Sequence, residues 1–286
     1  MRRTTAGWGS GLLGVVIFSG SLPATRLAVA GFAPLFLTAA RAVIAALLSG
    51  ALLWLLRQKR PARGDLGALV LVSLGVVAGF PLLTALALRG MTSAQAIVFV
   101  GMLPLATALF GVLRGGERPR PAFWLFSVLG SGAVAGFAMA QGGAAGLAPN
   151  LLMLAAILLC GLGYAEGAAL SRRLGGWQVI SWALVLALPV MGGLALATWP
   201  TRWDGVGMAA WSGLAYVSVF SMLVGFVFWY RGLALGGIAS VGQLQLLQPF
   251  FGLALAALVI GEPVSGTMLA VSAVVVLCVA GAKRFA

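Results

Sequence analysis

Apolar and polar positions divide the 286-residue chain into ten oily stretches separated by short interruptions rich in Arg, Gly or Pro. The stretches run over 8–26, 32–56, 66–88, 93–114, 122–140, 150–171, 177–199, 206–230, 238–259 and 264–282. A hydrocarbon layer of about 30 Å takes about 20 apolar residues of helix, close to the length of each stretch. None has the period-two alternation of a membrane barrel strand. The pattern predicts an all-α polytopic membrane protein with ten transmembrane helices.

Composition agrees with that pattern. With 62% hydrophobic and 8% charged residues and a mean hydropathy of +1.09, the chain has too little polar surface to cover a water-soluble globule. Forty-one glycines suit helices that pack closely in lipid through small residues. The formal charge of +13 would suggest nucleic acid in a soluble chain, but its placement gives it another meaning. Alternate loops and both termini carry fourteen Arg and Lys, the opposite loops only Arg26, Arg89 and Arg202. By the positive-inside rule both termini are cytoplasmic, and the partner is the lipid bilayer, not nucleic acid. Arg2 and Arg3 ahead of an apolar run have the form of a secretory signal, but the repeat described next needs this segment as its first helix.

Sliding the sequence against itself by 145 residues aligns Gly31 with Gly176, Pro104 with Pro249, Glu117 with Glu262, and Val134-Ala135-Gly136 with Val279-Ala280-Gly281. Five spans make each unit, 1–141 and 146–286, so the second unit enters the membrane from the opposite side. Two inverted five-helix repeats are the usual architecture of secondary transporters, whose sites lie where the units meet.

Two stretches bring a known family into view. "FSGSLPATRLAVAGFAPLFLTAARAVIAALL" (Phe18 to Leu48) carries Arg26, Pro34 and Arg41, and "GGIASVGQLQLLQPFFGLALAALVIGEPV" (Gly236 to Val264) carries a mid-helix Pro followed by Gly-Glu-Pro. With "SRRLGG" at the end of the sixth span, the whole chain resembles the drug/metabolite transporter superfamily in its ten-helix form of two EamA-type repeats. The resemblance implies a bacterial inner-membrane carrier exporting amino acids, aromatic ones included, other small metabolites or drugs. Sugar nucleotides or lipid-linked sugars are the alternative cargo within the superfamily, and a non-transporting receptor or scaffold is the alternative of another class.

Ionisable groups inside spans are functional candidates, since insertion alone costs about 2.5–3.5 kcal/mol for such a charge. Arg41 could hold a substrate carboxylate or serve as a structural tie to backbone carbonyls. Glu166, where the family resemblance leads one to expect an apolar residue, could exchange a proton or bind an amine, or could be a neutral hydrogen-bonded Glu. In "VGQLQLLQPFFG" (Val241 to Gly252), Gln245 and Gln248 share a helix face and Gln243 points elsewhere. Pro249 cannot donate to the carbonyl of Gln245 and is expected to leave it free, as Pro104 does for Val100. Ser21, the repeat mate of Glu166, lies beside Pro23 in a further expected helix break. Tyr164, Trp182, Phe80 and Phe99 lie deep enough to line a cavity, whereas Trp8, Trp54, Trp124, Trp199 and Trp203 fall at span ends as an interfacial belt.

Nothing in the sequence supports an enzyme. It has no His, no phosphate loop and no nucleophile with a base at plausible spacing, and its two Cys, both in apolar spans, make no metal site. No cofactor is expected. The expected molecule is a monomeric carrier of a small-molecule substrate, coupled to protons through Glu166.

Overall fold

In the computed structural model, residues 2–115, 120–236 and 241–285 are described. Among them every regular element is helical and there is no strand. Seven segments are long and apolar enough to cross a membrane: Ala6–Ala28, Pro34–Leu55, Arg63–Ala87, Ser93–Leu113, Leu147–Leu174, Gly176–Ala197 and Met208–Leu233. Shorter apolar helices cover Pro121–Ala133, Leu244–Ile260 and Gly266–Cys278.

Several segments are interrupted, and the interruptions position the site. The first is two helices, α1 (Arg2–Ser19) and α2 (Ser21–Ala28), and it is followed by α3 (Pro34–Leu55). The next begins as α4 (Leu66–Val72), loosens into a π-helical stretch at Ser73–Gly79 and tightens again as α5 (Phe80–Ala87). Then come α6 (Ser93–Val100), α7 (Leu103–Gly115), α8 (Pro121–Ala145), α9 (Leu147–Leu174) and α10 (Gly176–Ala197). A second π-helical stretch, Tyr216–Val224, joins α11 (Met208–Ala215) to α12 (Gly225–Gly236). A 3₁₀ stretch at Gly242–Leu247 leads into α13 (Gln248–Ile260), and α14 (Gly266–Arg284) completes the chain.

Proline explains several of these boundaries. Pro23, Pro81, Pro104 and Pro249 each lie in the first turn of a new helical segment, where a missing N–H costs nothing because that donor has no partner within the helix. This corrects one expectation of the sequence. The carbonyl of Gln245 is not left free by Pro249, because the tighter 3₁₀ winding brings the N–H of Gln248 onto it.

Many boundaries recur at the spacing of the sequence repeat. Arg63 and Met208, Phe80 and Gly225, Leu103 and Gln248, and Pro121 and Gly266 are each 145 residues apart and each opens a helical stretch. The two π-helical stretches overlap under the same shift and end at matching positions, the second starting two residues earlier. Packing follows suit: α1 lies along α12 while α9 lies along α4 and α5, α3 pairs with α10, and α8 pairs with α14. The match fails at Gly20. The first segment breaks there, whereas α9 runs unbroken through the corresponding position. A Cβ on Gly20 would lie 2.5 Å from the hydroxyl of Tyr216, and that hydroxyl donates to the carbonyl of Ile17 at 2.8 Å. A side chain of the second half thus adds a second donor to a carbonyl that already accepts from the Gly20 N–H at 3.3 Å. Gly75 likewise lets the loosened stretch touch α9, since a Cβ there would lie 2.5 Å from the Leu159 carbonyl.

Candidate functional site

The elements that break or loosen converge on one small cavity. Phe18, Ser21 and Leu22 line it from the break between α1 and α2, and Arg41 from α3. Val76, Phe80 and Pro81 come from the loosened α4–α5 segment, and Val100 and Leu103 from the α6–α7 junction. Cys160 and Tyr164 of α9, Ser221 and Phe226 of the second loosened segment, and Gln248 at the start of α13 complete the wall. Both halves of the chain therefore contribute. Its volume of about 30 Å³ has room for a few waters at most, since one water takes about 10–15 Å³ on this measure.

One side of the wall is polar. Arg41 is 5% exposed; its Nη2 donates to the Ser221 hydroxyl at 3.2 Å, and that hydroxyl lies 2.7 Å from the hydroxyl of Ser21. Buried Arg41 Nε and Gln248 Oε1 have no hydrogen-bond partner. Buried polar groups in folded chains are generally satisfied, so a donor and an acceptor both left open beside one cavity are the marks of a site. Among the described residues no Asp or Glu lines the cavity, and Arg41 is the one charged group in its wall. The other side is aromatic. The rings of Phe18 and Phe226 lie 4.9 Å apart, with Tyr164 at 5.9 Å from Phe226 and 6.5 Å from Phe18.

Of the residues singled out in the sequence, the structure brings Ser21, Arg41, Phe80, Tyr164 and Gln248 together. Glu166 is half-buried on α9, about 200° around the helix from Tyr164 at 3.6 residues per turn. Gln245 is buried but outside the lining, with its Nε2 unpartnered. Trp182 packs against the main core, and Phe99 is buried within it, 6.5 Å from the ring of Phe137. The side chain of Gln243 lies outside the described residues, as does Glu117, the repeat mate of Glu262. Trp54 and Trp199 are well exposed; Trp199, Trp203 and Trp211 join Phe32 and Phe36 in a ring cluster at one end of the bundle.

Sequence reasoning passed over Phe18, Cys160, Ser221 and Phe226. Ser221 is the pivot of the polar side, yet a serine in an oily helix ordinarily bonds back to its own backbone, as Ser19 and Ser218 do. Its one distinguishing signal is its spacing of 145 residues from Val76, which also faces the cavity.

Glu262, in the Gly-Glu-Pro motif after α13, works at the same end of the bundle as the ring cluster. It accepts from the backbone N–H of Ser93 at 3.1 Å, the hydroxyl of Ser93 at 2.6 Å and the N–H of Ala94 at 2.9 Å, and so occupies the N-terminus of α6, where the helix dipole favours an anion. Arg26 stands 3.7 Å from it and also donates to the carbonyl of Leu88. At the opposite end Asp65 pairs with Arg173 at 2.6 Å.

Comparison with known proteins adds the context. A full-length relative, the uncharacterized transporter YdeK of Bacillus subtilis, is 64% identical over 286 residues, all of both chains. An uncharacterized transporter of Synechocystis is 25% identical over 253 residues, 81% of this chain and 76% of that one. A solved crystal structure superposes with a TM-score of 0.68 at 19% identity, over 97% of this chain and 96% of that one, which speaks for the fold alone. The model of the EamA-like transporter family matches twice, over residues 6–139 and 147–282. With both halves matched and so close a relative along its whole length, this chain belongs to the EamA-like transporter family.

Proposed function

We propose that this multi-pass membrane transporter is a secondary or facilitative carrier that exports small organic metabolites, amino acids foremost, by alternating access. Its ten spans form two five-helix units, 1–141 and 146–286, inserted in opposite directions with both termini in the bacterial cytoplasm. The shared element boundaries 145 residues apart and the two matches of one family model support the duplication. The odd number of spans in each unit and the basic alternate loops support the orientation.

The observation that carries the reading is Arg41: a buried guanidinium with an open N–H, in a wall drawn from both units and backed by aromatic rings. Such a seam is where inverted-repeat carriers hold their cargo. A sugar nucleotide would bring two phosphates to a wall with one cation, which favours the smaller cargo. Glu166 lies outside the described lining and has no part in holding the cargo. Purified protein in liposomes should exchange labelled amino acids or related metabolites across the membrane. No exchange with any member of a broad metabolite panel would sink the reading.

A further inference from the structure

We infer that the cavity selects its cargo by the carboxylate and not by the amino group, so that organic monocarboxylates with an apolar or aromatic body bind more tightly than zwitterionic amino acids. The inference rests on the carrier reading above and, within its small organic metabolites, moves the preferred cargo from amino acids to plain carboxylates.

Arg41 is buried and permanently charged, and among the described residues no carboxylate lines the cavity to balance it. Its Nε has no partner among them, and its Nη2 donates to the hydroxyl of Ser221. A carboxylate meeting this edge satisfies the open N–H, neutralises the guanidinium and can accept a hydrogen from the Ser21–Ser221 hydroxyl pair. An ammonium group finds nothing equivalent. Among the described residues the one buried acceptor in the wall with no partner at all is the amide oxygen of Gln248; with the neutral hydroxyls it offers an ammonium no counter-charge, and Arg41 in the same wall repels that cation. A zwitterion leaves the site with an uncompensated positive charge; a plain carboxylate leaves it neutral. Phe18, Tyr164 and Phe226 offer the apolar body a wall of rings, which requires nothing polar beyond the carboxylate.

A series on one scaffold tests this. 3-Phenylpropionate and N-acetylphenylalanine are anions, phenylalanine is a zwitterion, phenylalaninamide a cation and 3-phenylpropionamide neutral. Thermal stabilisation of the purified protein reads affinity, and counterflow in liposomes reads transport. The anions should act at concentrations about tenfold below phenylalanine and lower still against both amides, the size of effect expected for a charge-assisted hydrogen bond in a buried site. Arg41→Gln should bring anion and neutral amide to within about threefold of each other, and Ser221→Ala, which keeps the charge, should narrow the gap about fivefold. Equal action by the amides, a preference that survives Arg41→Gln, or no binding by any compound would overturn the inference. Anion-selective binding with no counterflow of any compound would overturn the carrier reading alone. Counterflow of the cation and the amides without the anions would overturn the inference and leave the carrier standing.

Discussion

At one end of the helix bundle Glu262 is held by three hydrogen bonds from Ser93 and Ala94, with Arg26 3.7 Å away. At the other, Asp65 meets Arg173 at 2.6 Å, and that arginine side chain is 67% exposed. Each end is tied by an acid that reaches between segments far apart in sequence. The difference lies in the partners. Backbone N–H groups at a helix start are fixed in place and oriented before the acid arrives, so little entropy is lost in making the contact. A long arginine in water loses rotamer freedom and is screened by salt, which limits a pair of two exposed partners to about 0.2–1 kcal/mol; here only the arginine is exposed, the Asp65 side chain being 7% exposed. The Glu262 end should therefore be the firmer closure and the Asp65 end the one that opens first.

Glu262→Ala is the strongest way to break this contrast. It removes a charge-assisted cap from α6 and leaves the Ser93 donors unpaired, at a cost of about 3 kcal/mol; thermal unfolding in detergent should register it, and a cysteine reporter at that end should become more reactive. A Tm within a degree of wild type would refute the role given to Glu262. Glu262→Gln keeps one acceptor and loses the charge, for about 1–2 kcal/mol. Arg26→Ala should cost about 1 kcal/mol, mostly through the Leu88 carbonyl and not through the longer ion pair. Arg173→Ala should be smallest, about 0.5 kcal/mol, and the only one of the four whose effect shrinks in high salt. If Arg173→Ala were more damaging than Glu262→Ala, the ranking of the two ends would be reversed.

Some of this was readable in the sequence, and particular residues show why the rest was not. Arg41 and Gln248 stand out because their presence in an oily span is expensive, and both border the cavity. The prolines marked the junctions before α7 and α13, but not that the chain would wind into a 3₁₀ turn and reclaim the Gln245 carbonyl. The π-helical stretches at Ser73–Gly79 and Tyr216–Val224 have no proline within them. They depend on close packing against other helices, such as Gly75 on α9, which a periodicity reading does not contain. Glu262 was visible as one half of a repeated pair, whereas its partner Ser93 lies 169 residues away. Such contacts are set by the tertiary fold, and local pattern carries no trace of them.

The phenol of Tyr216 on the carbonyl of Ile17 bears on how such a molecule could move. The bond crosses between the two halves of the chain, at a break in the first helix, onto a carbonyl that also accepts from the N–H of Gly20 at 3.3 Å. If the halves separate there, that oxygen loses its shorter bond and keeps the longer one from its own chain, while the phenol is left to find another acceptor. A water taking up the phenol as it leaves would ease the turn at Gly20, and the N–H of Gly20 would hold the carbonyl meanwhile.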